Sequence, residues 1–147
     1  MRTKPTKMQS VTLLATLLII NFWAVPASAQ PHGNQLAGSW LVEGSPDPAS
    51  GVEPFTNLAS MAWSGQIVNL DPNLGAATGS WERLSRKRYA ITFSGFLDSD
   101  GSRYVVTAVV RLDRAGQHFD GDFHTEFLDT FGNPFFGFEG TVSGSRQ

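Results

Sequence analysis

Cysteine is absent from all 147 residues. That excludes disulfide bonds, thiol catalysis and cysteine-based metal sites together. Basic residues are few, with 11 Lys and Arg against 13 Asp and Glu. Three of them, Arg2, Lys4 and Lys7, precede the single long apolar run, Val11 to Val25. From residue 30 onward eight basic residues oppose thirteen acidic ones, a net charge of −5. An acidic surface of this kind argues against nucleic acid or an anionic membrane as the main partner. The sequence also has no Gly-x-Ser-x-Gly elbow, no His-Glu-x-x-His pair and no phosphate loop, and no motif in it calls for a cofactor. Beyond residue 30 no stretch carries helical periodicity.

The apolar run is too short for a membrane span, which needs ~20 apolar residues. It follows a basic start and ends in Pro26-Ala-Ser-Ala29, with small residues where a signal peptidase reads. Residues 1–29 are expected to be a secretory signal peptide, cleaved between Ala29 and Gln30, and residues 30–147 a single β-domain. No cysteine follows the run and no Arg-Arg pair precedes it, which argues against lipid anchoring and the twin-arginine route. The expected location is secreted or periplasmic, in a bacterial envelope setting.

What the chain does have is alternation. Tyr89, Ile91 and Phe93 fall on one face of a run from Tyr89 to Leu97. Tyr104, Val106, Ala108, Val110 and Leu112 do so in Arg103 to Leu112, and Phe119, Phe123 and Phe127 in His118 to Leu128. Period-two patterning marks strands with one buried and one wet face. If Asp98–Gly101 and Arg114–Gln117 are four-residue loops, Phe93 opposes Val106, Ile91 opposes Ala108, and Ala108 opposes Phe123. The apolar faces then coincide across all three strands, as a one-sided core requires. Small residues sit beside large ones in each row, such as Gly95 with Tyr104 and Gly121 with Val110, which is how a small barrel fills its interior.

Earlier in the chain, strands are expected over residues 38–43, 55–63, 66–70 and 79–84. On the second of these Phe55, Ala59, Met61 and Trp63 share a face. The link Ser45 to Pro54 holds three prolines and must be a loop. The last strand is expected over 135–142. Eight sequential antiparallel strands predict an all-β fold, an up-and-down barrel that closes its own edges, with a two-sheet sandwich as the alternative.

Gly38-Ser39-Trp40, opening the first strand, resembles the Gly-x-Trp signature of the calycins: lipocalins, fatty-acid-binding proteins and avidins. The resemblance implies a barrel closed at one end by Gly38 and Trp40, with Arg146 near the end of the last strand packing across the tryptophan. Size and strand number also resemble this group, and small secreted bacterial proteins more generally.

Eight-stranded barrels either fill with their own side chains or hold one small ligand. The leading expectation is a lipocalin-like barrel binding a small apolar or aromatic molecule, with Trp40, Met61, Trp63 and Trp81 lining the site. One alternative is an isomerase on a similar barrel, of allene-oxide-cyclase or dirigent type. That would need a buried ionisable group, and Glu139 is the weak candidate; if Phe136, Phe138 and Val142 point inward, Glu139 faces water. The other alternative is a packed, non-catalytic envelope protein. His118, Asp120, Asp122, His124 and Glu126 alternate along one face, with neighbours on that face ~7 Å apart. A solvated outer face accounts for all five, and no metal site is expected.

Overall fold

The computed structural model describes residues 35–147. They form strands β1 (Gly38–Pro46), β2 (Phe55–Met61), β3 (Gln66–Asp71), β4 (Gly75–Arg83), β5 (Arg88–Phe96), β6 (Arg103–Leu112), β7 (His118–Leu128) and β8 (Pro134–Arg146), with one 3-10 turn at Pro48–Ser50. Each strand pairs antiparallel with the next, and β8 pairs back onto β1. The result is a closed eight-stranded up-and-down barrel, with no free sheet edge among the described residues. The expected signal segment lies outside the described residues.

The register of the central ladder follows from its two tight turns. Phe93 pairs with Val106, Ile91 with Ala108 and Tyr89 with Val110. Ala108 pairs in turn with Phe123, and Val110 with Gly121. Trp81 pairs with Ile91 and Arg83 with Tyr89, which leaves Leu84–Arg88 between the last paired residues of β4 and β5, with Arg88 already the first residue of β5. Aspartates secure several of the connections. The Asp113 carboxylate accepts from the Gln117 and His118 amides, that of Asp129 from the Phe131 and Asn133 amides, and that of Asp71 from the Asn73 and Leu74 amides. A carboxylate placed this way satisfies turn N–H groups that neither ladder can reach.

Three interior aromatics lie over glycines directly across the ladder. Phe55 covers Gly44, Tyr104 covers Gly95 and Phe119 covers Gly144. A methyl group on Gly95 would stand 2.7 Å from the Tyr104 ring and hydroxyl. The missing side chain on one strand is therefore the seat of a ring from its neighbour.

The first half of the barrel differs from expectation in its strand limits. β2 ends at Met61 because Ala62 and Gly65 make the turn, with Gly65 N–H donating to Ala62 O (3.0 Å) and Ala62 N–H to Gln66 O (2.8 Å). Trp63 therefore sits in the turn, 51% exposed, and not on the inward face of the strand. β4 begins at Gly75, four residues earlier than expected, because the Asp71 cap and Gly75 at φ +81° reverse the chain at once. β8 runs on to Arg146, since its far half pairs with β1.

The buried cluster includes Leu36, Trp40, Val42, Met61, Ile67, Tyr89, Val110, Leu112 and Phe119. It occupies the end of the barrel where the chain enters β1 and where the β2–β3, β4–β5 and β6–β7 turns lie. Phe123 and Thr125, nearer the other end, are also buried but border open space.

Candidate functional site

The two ends of the barrel are built differently. At the closed end the Trp40 ring is fully buried, 4.9 Å from that of Phe119, and its Nε1–H donates to Leu36 O (2.8 Å). The Arg146 guanidinium lies over the Trp40 ring at 4.4 Å. Its Nε donates to Gly116 O (2.8 Å), Nη1 to Ala37 O (2.7 Å) and Nη2 to Gln35 O (2.9 Å). One planar fork thus ties the incoming chain and the β6–β7 turn across an aromatic plate. Gly38, at φ +139°, leaves room for that guanidinium, since a Cβ there would collide with Nη1. Burial lowers the Arg146 pKa, yet a guanidinium stays charged.

Towards the other end the interior opens into a cavity of about 360 Å³. Its floor includes Met61, Ile67, Val110 and Phe119, and its mouth lies among Val52, Glu53, Pro54, Asn73, Leu74 and Phe136. One wall is aromatic. Phe123 packs edge-on to Phe55 (5.6 Å) and Phe138 (5.8 Å), and Phe127 lies 5.6 Å from Phe136 and 6.1 Å from Phe138. Beside this wall, Ala108 and Val106 on the neighbouring strand line the cavity with small side chains.

The cavity lining also carries a polar group of residues. The amide of Asn57, oriented by its neighbours, donates from Nδ2 to Asp71 Oδ2 (2.9 Å) and Thr56 O (3.0 Å) and accepts from Asn69 Nδ2 (3.1 Å). Asn57 and Asn69 are both buried and both line the cavity. Tyr104 lines it too, packed against Phe127 at 6.3 Å, and its buried hydroxyl has no hydrogen-bond partner among the described residues. Burial, and then the negative charge of Asp71, raises the Tyr104 pKa above its ordinary value, so the phenol stays protonated at neutral pH.

Of the four residues proposed from sequence for a ligand site, Met61 lines this cavity. Trp40 lies beneath the floor, in the closed end. Trp81 packs edge-on to Tyr89 at 5.7 Å and donates from Nε1 to Ala62 O (3.0 Å), and Trp63 is in the β2–β3 turn. The structure therefore brings Trp40 together with Gly38 and Arg146, and does not bring the three tryptophans together around one space. Glu139 is exposed, paired across the ladder with His124, while Phe136, Phe138 and Val142 line the cavity. No ionisable role inside the barrel is open to Glu139 from that position. On the same outer face, His124 Nε2 stands 3.6 Å from Glu126 Oε1. Among the described residues no group of three or more His, Asp or Glu could hold a metal ion, and no helix is long and apolar enough to cross a membrane.

This polar group escaped the reading of the sequence. Its signal was there: Asn57 falls in the same period-two phase as Ala59 and Met61, and Asn69 in that of Ile67. A polar residue in an otherwise apolar phase is the informative exception.

Comparison with protein-family models, curated proteins and solved structures finds no match to this chain. The barrel is compatible with a calycin-like fold, and a fold alone does not specify a function.

Proposed function

We propose that this protein is a binding barrel for a small apolar or aromatic molecule, exported from the cytoplasm. The observation that carries the reading is the cavity of about 360 Å³, walled by phenylalanines and open at one end of a barrel whose other end is plugged. Small-molecule sites are concave, largely apolar and supplied with a few polar groups, at volumes of about 300–1,000 Å³. A barrel intended only as a packed structural body would have filled this space, because interiors pack to crystal-like density. Export is supported by the basic start, apolar run and Ala-Ser-Ala of residues 1–29.

The test is to fill the space. Ala108 borders the cavity between Ile91 and Phe123, so Ala108→Phe places a ring where the ligand would lie. Titration with an uncharged fluorescent naphthalene probe should show binding to the unaltered protein and at least a roughly tenfold loss in Ala108→Phe. The urea midpoint should not fall, since the ring enters open space. Thr107→Phe, on the outer face, should leave binding intact. Equal binding by Ala108→Phe, or none by the unaltered protein, refutes the reading.

A further inference from the structure

The charges around the cavity point to the chemistry of what it holds, on the proviso that it is a ligand site as proposed above. Among the described residues the cavity lining contains Glu53 and Asp71 and no Lys, Arg or His. The bias extends beyond the lining. Asp47, Glu53, Asp98, Asp100 and Asp129 lie in the links at the open end and Asp71 at the end of β3 beside them, with Arg103, the first residue of β6, as the one Lys or Arg there among the described residues. The other seven basic residues from residue 35 on, Arg83, Arg86, Lys87, Arg88, Arg111, Arg114 and Arg146, lie at the closed end. A ligand approaching the mouth meets a negative potential, and the cavity's low-dielectric walls concentrate it.

Inside, the same sign persists. Asp71 faces the cavity beneath the mouth, held by the Asn73 and Leu74 amides at Oδ1 and by Asn57 at Oδ2. Those bonds leave the carboxylate fixed in place with acceptor capacity remaining. Tyr104 also lines the cavity, and among the described residues its buried hydroxyl has no partner. The phenylalanine wall offers ring faces, which attract cations and not anions.

We propose that the cavity selects an amine: an aromatic or apolar body carrying an ammonium group, which seats at the Asp71 carboxylate in a lining that includes Asn57, Asn69 and Tyr104. An ammonium donates hydrogen bonds and accepts none, so it matches a lining whose available groups include a carboxylate and a hydroxyl oxygen. A carboxylate ligand would be buried beside Asp71 and Glu53 with no cation to pair it. Fatty acids and other apolar acids are thereby disfavoured.

Three naphthalene ligands that share one ring and differ in the side-chain terminus test this: 2-(2-naphthyl)ethylamine, 2-(2-naphthyl)ethanol and 2-naphthylacetate. Each is titrated at neutral pH into the unaltered protein and into Asp71→Asn, which keeps a turn-capping oxygen. The amine should bind the unaltered protein about tenfold more tightly than the alcohol, as one charge-assisted hydrogen bond provides, and the acetate more weakly than either. Asp71→Asn should bind the alcohol as before and lose the preference for the amine. Should the acetate bind as well as the amine, or Asp71→Asn keep the full preference while all three ligands bind, the amine assignment is overturned and the binding barrel stands. Should none of the three bind the unaltered protein, both readings fall. The ranking on the unaltered protein decides the matter even if Asp71→Asn does not fold.

Discussion

Replacing Trp40 by alanine tests the closed end directly. The ring is fully buried, and truncation of a buried aromatic costs about 3–5 kcal/mol. Two further losses push towards the upper part of that range. The Leu36 carbonyl loses the indole N–H, worth about 1 kcal/mol. Arg146 loses the face it covers, worth about 1 kcal/mol for a partly desolvated pair. A domain of this length has about 5–15 kcal/mol in total, so Trp40→Ala should lose about a third or more of it. Trp40→Phe keeps a ring on Phe119 and loses the N–H, and should cost about 1–2 kcal/mol. The assay is urea unfolding followed by far-UV circular dichroism, because fluorescence would lose one of its chromophores. With a slope of about 2 kcal/mol per molar, a 4 kcal/mol loss moves the midpoint by about 2 M. A double-mutant cycle with Arg146→Met should show a coupling of at least about 0.5 kcal/mol. A loss under about 1 kcal/mol for Trp40→Ala, or no coupling, would refute the claim that this pair holds the barrel shut.

Other outcomes follow from the same structure. Thr107→Leu, on the exposed outer face, should shift stability by less than about 0.5 kcal/mol; a large loss would mean that the inward and outward faces of the ladder are exchanged. Tyr104→Phe removes a buried hydroxyl with no partner, so the urea midpoint should hold or rise, and a fall of more than about 1 kcal/mol would mean that the hydroxyl is satisfied. The carboxylates of Asp100 and Asp129 titrate below their ordinary value, chiefly because turn amides donate to them. Burial opposes the same effect at Asp113, where the Gln117, His118 and Gly116 amides prevail and lower its pKa as well. Depressed folded-state values give stability that is full above the ordinary carboxylate range and lost as pH falls through the folded values. Urea midpoints should therefore hold from pH 7 to about pH 5 and drop below about pH 4. The triple change of these three to asparagine should flatten that drop. N-terminal sequencing of exported protein should begin at Gln30, and a start at Met1 would remove the argument for export.

The sequence by itself determined the all-β class, the eight-strand meander and the register from β5 to β7. Those follow from local facts: strict alternation in Arg103–Leu112 and His118–Leu128, and turns short enough that only one pairing brings the apolar faces together. The Gly-x-Trp resemblance set Gly38 and Trp40 on the first strand against Arg146 near the end of the last, and alternation favoured Glu139 outside the apolar phase of β8. Turn chemistry was read less well. The limits of β2 and β4 depend on whether Trp63 and Asp71 belong to strand or turn, and that is settled by the Ala62–Gly65 hydrogen bond and by the Asp71 cap. Only the tertiary structure decided where the interior is empty. Which rings meet across a barrel depends on strand tilt and stagger accumulated around the whole circuit, and an empty volume is a small difference between the enclosed space and the side chains that fill it. Alternation tells Ala108 that it points inward; it cannot tell what stands opposite. Closure brought Phe123, Phe127 and Phe138 together around one cavity with Asn57, Asn69 and Tyr104, and it kept the three tryptophans apart. The charge asymmetry has the same origin, because sequence neighbours at successive turns alternate between the two ends, and only a closed meander gathers every second turn onto one rim.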